Sequence, residues 1–286
     1  MVRSADAWRQ REQVGLIMTV EQREASRLGP LFDSCRAENR AALIGYLPTG
    51  YPDVNTSVRA MTELVESGCD IVEVGVPYSD PGMDGPTIQR ATEAALSGGV
   101  RVRDALTAVE SISKAGGRAV VMTYWNPVLR YGGDAFARDL AAAGGHGLIT
   151  PDLIPDEAQQ WLAASDAHGL DRIFLVAPSS TPERLANTVA ASRGFVYAAS
   201  TMGVTGARDA VSNAAPDLVA RVKAVSDIPV GVGLGVRSRE QAAEIGRYAD
   251  GVIVGSALVS ALGDGLPSLR SLTEELAAGV RQRKSP

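Results

Sequence analysis

Short apolar runs rich in Val, Ile, Leu and Ala alternate along this chain with longer stretches whose apolar positions recur every three or four residues. Runs of the first kind read as strands buried on both faces, and stretches of the second kind as helices with one apolar face. The pattern predicts strands over residues 41–47, 70–76, 118–123, 147–150, 171–177, 194–199, 228–232 and 251–254. Helices are predicted over 25–40, 55–67, 101–115, 134–143, 155–167, 182–191, 216–225, 238–247 and 266–281. Pro155, Thr181-Pro182 and Pro216 stand near helix starts, where a fixed φ and a missing N–H are tolerated.

Eight strands, each followed by a helical segment, predict an α/β fold class: a (β/α)8 TIM barrel with an extra N-terminal helix. A doubly wound open sheet is the other architecture that such alternation allows, but the repeat number is eight and no break in strand order is evident. The expected organisation is a flexible N-terminal extension over residues 1–23 and a single catalytic barrel over 24–286. The extension mixes charges with a short apolar patch around 14–20, too brief for a secretory signal, and Met18 is a candidate internal start. An intact mass that includes residues 1–17 would exclude that start.

A net charge of −5 and the lack of a long basic run argue against a nucleic-acid partner. No apolar segment approaches the ~20 residues that span a bilayer, so no membrane association and a cytoplasmic location are expected. Cys35 and Cys69 form no close motif and are expected as reduced thiols.

One strand carries an ionisable residue inside its apolar run: Ile71-Val72-Glu73-Val74-Gly75-Val76. Side chains alternate along a strand, so Ile71, Glu73 and Gly75 share one face. A carboxylate there is either tied to neighbouring backbone or put to chemical use. The loop that follows supplies a second carboxylate, Asp84, on the rim where barrel active sites lie. Tyr124-Trp125-Asn126 leave the third strand on the same rim, and Tyr197 lies in the sixth. Both tyrosines are candidates for the site, with a plain core-aromatic role as the alternative. Gly233-Leu234-Gly235 and Gly255-Ser256 follow strands seven and eight, where barrels often bind a phosphate through backbone N–H groups and a helix N-terminus.

Absences narrow the chemistry. The three lysines, Lys114, Lys223 and Lys284, fall on helices or the tail, away from any Schiff-base position. The two histidines, His146 and His168, fall before strand four and at a helix end, so no metal site is expected. Proton transfer by carboxylates on a small phosphorylated substrate is what remains.

Glu73-Val74-Gly75-Val76-Pro77-Tyr78-Ser79-Asp80-Pro81, followed by Asp84-Gly85-Pro86-Thr87-Ile88-Gln89, resembles the signature of the tryptophan synthase α subunit family. Gly203-Val204-Thr205-Gly206 and Gly255-Ser256-Ala257 resemble its sixth and eighth loops, and the likeness runs from about residue 28 to the last helix. The resemblance implies a lyase that cleaves indole-3-glycerol phosphate to indole and glyceraldehyde 3-phosphate in L-tryptophan biosynthesis, with no cofactor of its own. It implies a β-subunit partner in an α2β2 complex, with pyridoxal phosphate in the β subunit. It makes Glu73 the acid–base residue and Asp84 the acceptor of the indole N–H, and Asp84, being on a loop, is expected to stay ionised. It further implies substrate contacts at Tyr46, Met122, Tyr124, Tyr197 and Leu234, and a phosphate site at Gly206, Gly235, Gly255 and Ser256. Thr205 is implied to hold Asp84 when the second and sixth loops close.

Gly82-Met83 stands where Leu-Ala is usual in that family, Pro48-Thr49-Gly50-Tyr51-Pro52 where Thr-Ala-Gly-Asp-Pro is usual, and Leu234 where Phe is frequent. These departures bear on loop rigidity and the β contact and leave the two carboxylates untouched. Two rivals remain at this point: another sugar-phosphate barrel enzyme, which would want rim lysines or histidines, and a non-catalytic barrel scaffold that activates a β subunit.

Overall fold

The computed structural model describes residues 26–199 and 214–282. The expected extension, Thr205 and Gly206 lie outside the described residues. A nine-stranded all-parallel sheet runs in the order β5-β4-β3-β2-β1-β9-β8-β7-β6, with β1 Ala42–Pro48, β2 Ile71–Gly75, β3 Ala119–Met122, β4 Gly147–Ile149, β5 Asp171–Ile173, β6 Leu175–Val176, β7 Val196–Ala199, β8 Val230–Gly233 and β9 Gly251–Val254. The two ends of that order, β5 and β6, are separated in the chain by Phe174 alone, so the sheet closes into the expected barrel and the open-sheet alternative is excluded.

The fifth strand was expected unbroken and is split at Phe174. Its first half pairs with β4 and its second with β7. Arg172 also exchanges two backbone hydrogen bonds with Arg193, which draws the strand's first half toward the chain segment before β7. Phe174 is where the strand changes partners.

The helices in chain order are α1 Gly29–Ala37, α2 Val54–Glu66, α3 Pro86–Ser97, α4 Val102–Lys114, α5 Trp125–Tyr131, α6 Gly133–Ala142, α7 Gln159–Ala167, α8 Pro182–Ala191, α9 Ala214–Val225, α10 Arg239–Gly246, α11 Ser256–Gly263 and α12 Leu266–Val280. Two of these, α3 and α5, were not predicted as helices, and α11 was expected only as a short helix opened by Gly255-Ser256, without bounds. The buried face of α3 is Ala91, Thr92 and Ala95, too small to give a strong apolar period. Pro127 in α5 reads as a breaker, yet it lies in the first turn, where no intrahelical N–H is lost. The sequence of α11 is apolar nearly all round and shows no period. The expected helix over 155–167 is a 3-10 turn at Pro155–Glu157 followed by α7. The expected 25–40 helix is shorter: it starts at Gly29 with Pro30 in its first turn and ends before Asn39, whose φ of 54° is left-handed.

Alternation sorts the strand residues as expected. Val72, Val74 and Val76 pack outward against the helices, while Ile71 belongs to an interior cluster with Ile44, Val120, Ile149, Ile173, Phe195 and Ile253. Helix α1 closes the bottom of the barrel by adding Leu28, Leu31, Phe32 and Cys35 to that cluster, with the Phe32 and Phe195 ring centroids 5.8 Å apart. Both cysteines are buried free thiols. Among the described residues no helix is long and apolar enough to cross a membrane.

Candidate active site

Two residues up each strand from the interior cluster, the inward positions change character. Tyr46 follows Ile44, Glu73 follows Ile71, Met122 follows Val120, Tyr197 follows Phe195, and Gly233 takes the corresponding place on β8. Tyr46 and Glu73 are register partners on neighbouring strands, and so are Tyr197 and Gly231. This upper layer lies at the C-terminal ends of the strands, where barrel active sites sit, and the structure brings Tyr46, Glu73, Met122 and Tyr197 together in it.

Glu73 is 1% exposed, and its Oε2 has no hydrogen-bond partner among the described residues. Among the described residues no backbone group is bonded to this carboxyl, which argues against a structural reading of the residue. Burial pushes its pKa up to about 8, and the nearby Asp84 adds to the shift. At neutral pH the group therefore holds its proton more often than not.

Asp84 is half-buried above this floor, in the loop between β2 and α3. Burial raises its pKa, so the loop does not leave it in open water as its sequence position suggests. Its flanking peptides are held from two sides. The Met83 N–H donates to the Tyr124 hydroxyl at 3.0 Å, and the Gln89 Nε2 donates to the Asp84 carbonyl at 2.8 Å. Tyr124 is supported in turn by the Tyr78 ring at 5.2 Å, and Tyr78 receives a hydrogen bond from Asn126. Tyr124 is thus a loop anchor rather than a mere core aromatic. Asp152 caps the first turn of α5 by accepting from the Trp125 N–H at 2.9 Å. The roles of Gln89 and Asp152 were missed in the sequence; Gln89 ends the quoted signature, but only the fold shows what it holds.

The glycine-rich side of the mouth is formed by β8, β9 and α11. Gly235 is exposed, with φ +66° and open space where a side chain would stand. Gly255 caps α11, and Ser256 is its first residue, so N–H groups of the first helical turn face the mouth of the barrel. Leu234 is half-buried between them. Thr205 and Gly206 lie outside the described residues.

Neither histidine reaches this end. His146 donates its backbone N–H to Ala119 just before β4, and His168 caps α7 with its ring 3.0 Å from Asp134. Among the described residues no group of three or more His, Cys, Asp and Glu could hold a metal ion.

The sequence model of a family described as "Tryptophan synthase alpha chain" matches residues 32–285. The tryptophan synthase alpha chain of Mycobacterium marinum is 99% identical over 269 residues, which cover 94% of this chain and 100% of the relative. That of Mycobacterium tuberculosis is 86% identical over 265 residues, covering 93% and 98%. Among solved structures, a Mycobacterium tuberculosis tryptophan synthase superposes with a TM-score of 0.87 at 86% identity, covering 90% of this chain and 98% of that one. An aminoacrylate-bound form of that enzyme gives 0.84 at 82%, covering 89% and 99%.

Proposed function

Because the chain belongs to the tryptophan synthase alpha chain family, we propose that its barrel cleaves indole-3-glycerol phosphate to indole and glyceraldehyde 3-phosphate as a step in tryptophan biosynthesis. The observation that carries this reading is Glu73, a buried inward carboxyl with an unpaired oxygen beneath the loop that bears Asp84.

Breaking the bond between indole C3 and the side chain requires a proton on C3 and loss of the proton from the adjacent hydroxyl. One carboxyl can do both. The protonated oxygen of Glu73 gives its proton to C3 while its other oxygen takes the hydroxyl proton, so the group ends as it began. A pKa near 8 suits a group that must start protonated near pH 7. Protonation at C3 puts positive charge on the indole ring, centred on its nitrogen. Asp84 accepts the N–H hydrogen bond and stabilises that charge, most strongly once water is excluded. Met122, Tyr124, Tyr197, Leu234 and the Tyr46 ring form the indole pocket. Gly235, Gly255 and Ser256 hold the phosphate through backbone N–H groups, joined by Gly206, with Thr205 as a second holder of Asp84 on closure. Each carboxylate accounts for about two to four powers of ten in rate.

The chain needs no cofactor of its own for this step. We further propose that it works in an α2β2 complex whose β subunit carries pyridoxal phosphate and receives the indole. Met83, Leu129 and Ile154 support a partner surface: all three are large, apolar and about half exposed, on the consecutive rim segments after β2, β3 and β4. The test is indole release from indole-3-glycerol phosphate by the wild type, Glu73→Gln and Asp84→Asn. Full activity in Glu73→Gln would refute the mechanism. A wild type inert even beside a β subunit would favour the scaffold instead.

A further inference from the structure

Two polar groups of the site, the Tyr46 phenol and the Asp84 carboxylate, influence each other electrostatically. Tyr46 is 8% exposed, and its hydroxyl makes no hydrogen bond to the described residues. The carboxylate of Asp84 is half-buried and likewise takes no donor among them, although both of its flanking peptides are held. The phenol can donate and the carboxylate can accept, so each is a fitting partner for the other.

The backbone aims Tyr46 at that carboxylate. Its Cα is level with Glu73, but its ring runs up the barrel, and a Cβ on Gly75 would stand 2.5 Å from its hydroxyl. Gly75 is the last residue of β2, from which the chain leaves toward Asp84. At the other side, Tyr46 Cδ1 and Ile88 Cδ1 lie 3.5 and 3.6 Å from the Cβ position of Gly255, so the first turn of α3, just after Asp84, packs beside the same ring. The charged and titratable groups facing the phenol are Asp84 first, then Glu73, Tyr124 and Tyr197, and burial holds the phenol well above its ordinary pKa, in the O–H form that donates. Glu73 is mostly protonated at neutral pH and a poor acceptor, whereas an ionised Asp84 accepts strongly.

We infer that Tyr46 is a positioning residue for Asp84: its hydroxyl donates to one carboxylate oxygen when the loop seats over the pocket, leaving the other for an indole N–H. This rests on the functional reading above and adds to it a holder for Asp84 drawn from β1, separate from Thr205.

Tyr46→Phe removes the hydroxyl alone and keeps the ring. The probe is indole-3-propanol phosphate, which carries the indole N–H and phosphate without the side-chain hydroxyls. Its affinity, measured by calorimetry for wild type, Tyr46→Phe, Asp84→Asn and the double variant, is expected to fall about tenfold in Tyr46→Phe. In the Asp84→Asn background the same change should cost less than twofold, since a charge-assisted bond keeps its strength only while the charge is there. The Asp84 carboxyl carbon, followed by NMR with and without probe, should titrate at higher pH in Tyr46→Phe, because the lost donor favoured the ionised form. Equal weakening in both backgrounds, no weakening, or an unmoved titration would each overturn the inference. A wild type that binds no probe would instead fault the functional reading, and the titration without probe would still decide the pairing.

Discussion

The barrel holds a buried carboxylate at each end, and the two are treated in opposite ways. At the bottom, Asp171 opens β5 with no exposed surface, and its oxygens accept from the Ser26 hydroxyl at 3.0 Å, the Leu28 N–H at 2.9 Å and the Arg27 N–H at 3.3 Å. Arg193 Nε stands 3.6 Å away, close enough to balance charge but too far for a hydrogen bond. Even so, burial outweighs these donors and pushes Asp171 up to about 6. At the top, Glu73 is as deeply buried, receives no comparable donors among the described residues, and rises further, to about 8. Burial alone therefore does not mark a reactive acid. What separates the two is whether the fold spends the carboxylate on its own backbone or leaves an oxygen aimed into a pocket.

The widest split between the two ends is in catalysis. Glu73→Gln should lower indole release by about two to four powers of ten, whereas Asp171→Asn should leave turnover within a few-fold at low temperature. Steady-state assays on both variants check this; comparable losses would erase the distinction.

Stability should divide them the other way. Asp171→Ala strands the Ser26 hydroxyl and two backbone N–H groups beneath the α1 plug, while Arg193 keeps its pairing with Asp166, at a cost of about 3 kcal/mol in urea or thermal unfolding.

The pH dependence sharpens the contrast. The folded-state pKa of Glu73 lies above the ordinary glutamate value of 4.5, so between there and about 8 the native state keeps a proton that the unfolded chain releases. Stability contributed by that proton is complete below 4.5 and is lost as pH rises through the window. Glu73→Gln removes this dependence and should gain on the wild type by up to about 1.4 kcal/mol per pH unit, about 2 kcal/mol by pH 7 after allowance for relaxation. Asp171 titrates in both proteins and cancels from the difference. Unfolding midpoints measured from pH 4 to 9 give the curve, and parallel curves would contradict the assigned burial.

The smallest effect concerns the slot over β2. Gly75→Ala puts a methyl group 2.5 Å from the Tyr46 hydroxyl and must displace that ring into the pocket. Activity should fall about tenfold, a barrier change of about 1.4 kcal/mol, while unfolding shifts by less than Asp171→Ala.

Much of this was legible before any coordinates. Strands buried on both faces carry a strong local signal, so the alternation of Ile71, Glu73 and Gly75 located an inward acid at the right height. The helices missed were α3, whose buried face is built from small residues and gives little period, and α5, whose Pro127 reads as a breaker. The break at Phe174 was invisible because it depends on which neighbour each half of the strand pairs with. Asp84 looked solvated from its Pro- and Gly-rich loop, and only packing against Tyr124, Gln89 and the strand ends showed that burial raises it too.

Taken alone, the sequence determined the repeat of eight units, the face on which Glu73 sits, and the family signature in which both carboxylates stand, because these are encoded in neighbouring residues and in strand and helix periods. Only the tertiary structure decided that Asp171 is satisfied and Glu73 is not, and that Tyr46 lies along Gly75 toward Asp84. Hydrogen-bond partners and desolvation come from residues distant in the chain, Ser26 beside Asp171 and Asp84 above Glu73, and no local pattern records which of them will meet.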